Sequence, residues 1–220
     1  MRIDRAGYPF IVGALLPAAA FAALRRTGLA AAFAGVAGFM AFFFRDPDRR
    51  VPLGDDLVVA PADGRVMVAG APETGAAPPG EWQQVSVFLS PLDVHVNRIP
   101  FGGRITRVEY QPGQFLPAYQ PEAARDNERS EVWIQRGEVV VVVRQIVGIL
   151  ARRVVCRARE GDELPTGARF GLMKFGSRMD VFLPPDARLA VDVGDRVRGG
   201  ESVLARFATA PAAPPRDGSC

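Results

Sequence analysis

One imidazole serves the whole 220-residue chain, so any chemistry that needs a histidine runs through His95. It stands in the run Leu89-Ser90-Pro91-Leu92-Asp93-Val94-His95-Val96-Asn97-Arg98-Ile99-Pro100. Two further runs carry reactive side chains. Pro61-Ala62-Asp63-Gly64 offers a carboxylate in a turn at a strand junction, and Phe170-Gly171-Leu172-Met173-Lys174-Phe175-Gly176-Ser177-Arg178-Met179-Asp180-Val181 holds Lys174, the only lysine, and Ser177. Together they supply one acid, one histidine and one serine, the elements of an activated nucleophile. Each has an ordinary structural reading as well. Asp before Gly is a common turn residue, a lone histidine in a strand-rich domain is commonly a satisfied core residue, and a second Gly-Ser pair, Gly218-Ser219, lies in the tail. Lys174 could in principle form a Schiff base with a carbonyl substrate.

Composition narrows the classes. Apolar residues make up 48% and charged residues 23%, which excludes disorder as a description of the whole chain. The net charge of +3, with no basic run interleaved with aromatics, argues against a nucleic-acid partner. Two cysteines, Cys156 and Cys220, and a single histidine leave no disulfide scaffold and no metal cluster.

The elements that must position these residues fall into two kinds. Residues 6–24 and 27–44 carry no charge, with Arg25 and Arg26 between them. Nineteen helical residues rise roughly 28 Å, just short of the ~30 Å hydrocarbon core of a bilayer. A cleaved signal peptide and a buried core hairpin are competing readings. The expectation adopted is a membrane-embedded or membrane-docked helical hairpin, with the bulk of the chain on the cytoplasmic side. The stretch Arg45-Asp46-Pro47-Asp48-Arg49-Arg50 then ends the second helix as a linker. From 51 to 207 the pattern is β, with apolar runs at 57–60, 65–69, 85–89, 104–110, 132–135, 139–143, 153–156 and 181–183, separated by turn residues. Residues 138–150 are nearly all apolar and predict a strand or strand pair buried on both faces. Residues 111–130 predict a long functional loop or a partly mobile one, and 208–220 a disordered tail.

Several of these runs, in order and at consistent spacing, resemble the phosphatidylserine decarboxylase proenzymes in their short bacterial and archaeal form. The resemblance covers roughly residues 8–207. It rests on Gly7-Tyr8-Pro9-Phe10, Phe44-Arg45-Asp46-Pro47, Pro61-Ala62-Asp63-Gly64, the run from Leu89 to Pro100, Asn127-Glu128-Arg129, Gln145-Ile146-Val147-Gly148 with Ala151-Arg152-Arg153, and Phe175-Gly176-Ser177-Arg178. It implies a pyruvoyl enzyme that makes its own carbonyl. Ser177 would attack the carbonyl of Gly176, and elimination would leave a pyruvoyl group heading an α chain from 177 to 220, with a β chain of 1–176. The implied substrate is phosphatidylserine, the products phosphatidylethanolamine and CO2, and no metal is required. His95 would be the base, with Asp63 orienting it as in a triad. The longer members of the family carry a second histidine three residues on, where this chain has Arg98. Arg98 and Lys174 are candidate ligands for the lipid phosphate or serine carboxylate.

The expected fold class is mainly β, a barrel-sandwich-like core with an N-terminal apolar helical hairpin. The expected organisation is a hairpin and linker over 1–50, a catalytic domain over 51–207 and a tail over 208–220. Expected partners are the substrate, the bilayer of the cell membrane and the paired α and β chains, with a homo-oligomer left open. A runner-up comes from the segment between Val193 and Ala205, opening with Val193-Gly194-Asp195-Arg196-Val197, which looks like a biotinyl or lipoyl carrier with Lys174 as the modified residue. In such carriers, however, this segment precedes the lysine. A pyruvoyl decarboxylase acting on another seryl phospholipid is a third reading.

Overall fold

The structure is a computed structural model, and it describes residues 2–149, 154–174 and 176–208. Its N-terminal part is a helical hairpin. A short 3-10 turn at Arg5–Gly7 leads into α1 (Tyr8–Ala23), which a left-handed Arg25 (φ 56°) turns back into α2 (Thr27–Phe43). Pro9 sits in the first turn of α1, where its missing N–H costs nothing. The helices meet through small side chains, so that Ala14, Ala18 and Ala37 are the buried residues of the seam. Larger ones point outward, with Leu16 67% and Val12 50% exposed. The continuous segment Arg5–Ala23 is long and apolar enough to cross a membrane, whereas Thr27–Phe43 is shorter.

A clasp closes the base of the hairpin. β1 (Arg2–Ile3) pairs antiparallel with β2 (Arg45–Asp46), matching Arg2 to Asp46 and Ile3 to Arg45. The remaining elements are β3 (Leu57–Val59), β4 (Gly64–Gly70), β5 (Gln83–Leu89), β6 (Val96–Arg98), β7 (Gly103–Gln111), α3 (Ala123–Asp126), β8 (Arg129–Arg136), β9 (Val139–Ile146), β10 (Val155–Cys156), β11 (Glu163–Leu164), β12 (Arg169–Leu172), β13 (Ser177–Leu183), β14 (Arg188–Leu189), β15 (Arg196–Val197) and β16 (Val203–Arg206). An eight-stranded antiparallel sheet runs β11-β7-β8-β9-β13-β5-β4-β15, and two three-stranded sheets run β10-β12-β6 and β14-β16-β3. The chain is thus mainly β, as expected, with packed open sheets and no closed barrel among the described residues.

Alternation along the strands gives the large sheet two different faces. Val85, Val87, Leu89, Val132, Ile134, Val141, Val143, Met179, Val181 and Leu183 join one core cluster, to which the small sheets add Val58, Phe170 and Leu204 and the segment after β6 adds Ile99 and Phe101. The opposite face carries Arg144, Glu131, Arg178, Asp180 and Ser86, all buried. The carbonyls of Ala76 and Ala124 accept from Arg144 there, which places the stretches around them over this face. The run 138–150, expected to be a strand or strand pair buried on both faces, supplies the single strand β9, which is buried on both faces from Val141 to Ile146, with Arg144 among the apolar residues of the second face. The ions are tolerated because they pair, with Arg144 Nη2 2.8 Å from Glu131 Oε1. The interval 111–130 contains α3 and the opening of β8 rather than being loop throughout. Leu150, Ala151, Arg152, Arg153, Phe175 and the expected tail beyond 208 lie outside the described residues.

Candidate active site

Ser177 opens β13 in the middle of the large sheet and is fully buried. β13 lies between β5 and β9, with Ser177 opposite Leu89 and Arg178 opposite Ile146. The hydroxyl of Ser177 lies 3.5 Å from the Lys174 carbonyl, too long to hold it. Immediately upstream, Gly176 has φ +74°, a conformation that L side chains rarely adopt. Its carbonyl oxygen lies against Gly148, where an added Cβ would come within 2.2 Å of it. Gly148 therefore makes room for the very carbonyl that the family resemblance has Ser177 attack.

The strand after Ser177 is anchored by ions. Arg178, with no exposed surface, places Nε 2.7 Å from Asp180 Oδ1 and Nη2 2.7 Å from the Ser86 hydroxyl, and it pairs with Glu73. Gln84 donates to the same hydroxyl at 3.0 Å. The two carboxylates raise the guanidinium pKa against the opposing effect of burial. Arg178 lies within the motif around Ser177, but nothing in the sequence points to Glu73.

His95 precedes β6, whose Val96 pairs with Leu172 of β12. Its backbone carbonyl accepts from Met173 N–H at 3.2 Å, which sets it beside the segment leading to Ser177. The imidazole is wholly buried. Nδ1 lies 2.9 Å from the Asp93 carbonyl. A carbonyl can only accept, so Nδ1 carries the proton and Nε2 the lone pair. Nε2 is buried without a hydrogen-bond partner. Burial drives the pKa down to about 4, opposed by the Asp93 carbonyl and carboxylate. The result is a neutral imidazole with a free basic nitrogen. No hydrogen bond yet joins it to Ser177, a contact that apo sites often leave to close later.

Two of the expected site residues are engaged elsewhere. Asp63 does not hold His95: Arg49 Nη2 lies 2.9 and 2.7 Å from its two oxygens, and Gly199 N–H donates at 2.8 Å. The place the triad reading gave Asp63 is taken by the main-chain carbonyl of Asp93. Arg98 does not reach toward a substrate, because its guanidinium is turned inward onto Asp46 at 3.0 Å and the Gly167 and Pro47 carbonyls. Lys174 is half-buried with Nζ 5.1 Å above the Phe10 ring of α1, and it forms no ion pair among the described residues. A lysine covered in this way is a poor target for an enzyme that must reach it to attach biotin or lipoate. Two further buried amides, Asn97 and Gln145, are joined at 2.7 Å on the core side, and each has one orphaned polar atom. Both stand in motifs that carry the family resemblance.

A sequence model of the family described as phosphatidylserine decarboxylase matches residues 36–205. The chain belongs to the phosphatidylserine decarboxylase family. It is 45% identical over 206 residues to the phosphatidylserine decarboxylase proenzyme of Symbiobacterium thermophilum, covering 93% of this chain and 95% of that one. To the proenzyme of Saccharopolyspora erythraea it is 43% identical over 215 residues, covering 93% and 88%. To that of Pelodictyon phaeoclathratiforme it is 44% identical over 169 residues, covering 77% and 79%. Membership makes the chain a decarboxylase, a carboxy-lyase, and displaces the carrier-domain reading.

Proposed function

We propose that this chain is a proenzyme that severs itself between Gly176 and Ser177 and then decarboxylates phosphatidylserine to phosphatidylethanolamine and CO2. The observation that carries the reading is the junction itself, a left-handed glycine whose carbonyl rests in the space left by Gly148, followed by a buried serine at the head of a central strand. The Ser177 oxygen attacks the Gly176 carbonyl carbon while His95 Nε2 takes the hydroxyl proton. The peptide C–N bond breaks, the nitrogen regains a proton and an ester remains. Elimination across Cα–Cβ of residue 177 releases the Gly176 carboxylate, and hydrolysis then releases ammonia.

The residues present fit the pyruvoyl group that results. Position 177 is held by pairing to Leu89 of β5, and the next residue, Arg178, is paired to β9 and anchored through its side chain to Asp180. Once formed, the group supplies a carbonyl for the substrate amine and a sink for the electrons left by CO2. His95, neutral and buried against Phe43, then moves a proton at the substrate carbon. Lys174, beside the hairpin, supplies positive charge toward the lipid phosphate. Asp63 contributes as a charge near Arg45, which in turn faces His95. The outward apolar faces of α1 and α2 support residence in the cell membrane, with the catalytic part on its cytoplasmic face.

Intact mass tests the reading. Purified native protein should give two masses, split at 176/177, and Ser177→Ala one full-length mass with no decarboxylation. A split Ser177→Ala chain, or an unsplit native chain that releases CO2, would overturn it.

A further inference from the structure

The His95 side chain is held from two directions. From its own loop comes the Asp93 carbonyl at Nδ1. From α2 comes Phe43, whose ring lies 4.3 Å from the imidazole, centroid to centroid, at 35°. Phe43 has no exposed surface and shares an apolar cluster with Phe44, Val94, Val96 and Leu172, so the foot of the hairpin and the strands flanking His95 form one packed unit. Two residues beyond Phe43, Arg45 donates to the Phe42 carbonyl at 2.8 Å and to the Leu92 carbonyl at 2.7 Å, with its guanidinium 3.9 Å above the Phe42 ring. Leu92 immediately precedes Asp93. Arg45 thus fastens the end of α2 to the loop whose next carbonyl fixes the tautomer of His95.

We infer that Phe43 and Arg45 are positioning residues for His95, so that seating the apolar hairpin and readying the catalytic base are a single event. Phe43 covers the imidazole and excludes water, and Arg45 locks the loop that orients it. The inference rests on the reading of His95 as the base that activates Ser177. The charged groups facing the imidazole are Asp93 from its own loop and Arg45 from the end of α2. Asp63 and Arg49 act on Arg45, Arg196 engages Asp93 at 3.2 Å, and Lys174, just after β12, is turned to Phe10. Losing the apolar cover or the Arg45 charge moves the His95 pKa in the same direction, upward from about 4. A base with a raised pKa is protonated, and idle, in mild acid.

Because the chain has one histidine, a 13C-histidine label gives one imidazole signal that needs no assignment. Full-length Ser177→Ala protein in lipid nanodiscs is titrated by NMR, alone and with Phe43→Ala, Phe43→Leu or Arg45→Gln. The expected midpoint is near 4 in the parent, higher by about one unit or more in Phe43→Ala and Arg45→Gln, and close to the parent in Phe43→Leu, which keeps the apolar cover. In chains that retain Ser177, synthesised cell-free into the same nanodiscs and brought to the assay pH, Phe43→Ala and Arg45→Gln should slow cleavage about fivefold near pH 4, where a midpoint one unit higher leaves about a tenth of His95 neutral against half in the parent, and little near pH 7. Arg45 is partly exposed, so its variant tests the inference even where Phe43→Ala does not fold. Unchanged midpoints in both variants would overturn the inference. So would normal cleavage across pH in both variants while His95→Ala is blocked. Normal cleavage of His95→Ala would instead remove His95 as the base, leaving the titration as the judge of the positioning.

Discussion

His95 is sealed beneath Phe43 with its pKa held down to about 4, so the folded chain refuses a proton that the unfolded chain takes near 6.5. That difference fixes the sign of the pH dependence. Above the unfolded value neither state is protonated and the residue has no effect. As pH falls from 6.5 toward 4 the unfolded state alone binds the proton, and stability drops by about 3 kcal/mol in total. Thermal melts of Ser177→Ala protein across that range should show this loss, and the further change His95→Leu should flatten it. At this scale the sequence was informative about identity and poor about partners. A single histidine and the Gly176-Ser177 junction could be singled out by type and motif. That Asp63 is claimed by Arg49, and that a main-chain carbonyl serves Nδ1, could not, because ion pairs and backbone contacts have no period along the chain.

Among the elements, the turn after β9 and the opening of β13 meet at the junction proposed for cleavage. Gly148→Ala would thrust a methyl group to within 2.2 Å of the Gly176 carbonyl oxygen. Something must shift, and that oxygen belongs to the peptide group proposed to be broken. The expected outcome is a folded chain in which cleavage slows by about a hundredfold, since small misplacement of reacting atoms is that costly. A time course on denaturing gels, beside a circular-dichroism spectrum matching the parent, checks both halves. Each of the eight apolar runs marked in the sequence overlaps a strand of the structure, with Arg153 of the seventh run outside the described residues. β6, β11, β12, β14, β15 and β16 were missed because two to four residues are too few to display alternation. The buried charge in β9 was also hidden. Its Val-rich run masks Arg144, whose burial depends on a strand pairing and a cover formed far away in sequence.

For the molecule as a whole, the hairpin was legible from its uncharged stretches and the pair of arginines between them, while its attachment was not. Neither the β1–β2 clasp nor the contact of Phe43 with His95 has any signature in composition. Removing residues 1–45 should free the protein from membranes, as a flotation assay would read. It should also strip Phe43 and Phe44 from the cluster that holds Val94 and Val96, leaving a released chain that fails to split. Retention with membranes would place the anchor elsewhere. β13 would belong to the small fragment, yet both its neighbours, β9 and β5, would belong to the large one. The two pieces would be born interleaved and could part only by tearing the central sheet open. Mixed batches of isotopically heavy and light mature enzyme should therefore show no hybrids by native mass spectrometry after days together, each fragment keeping for life the companion it was translated with.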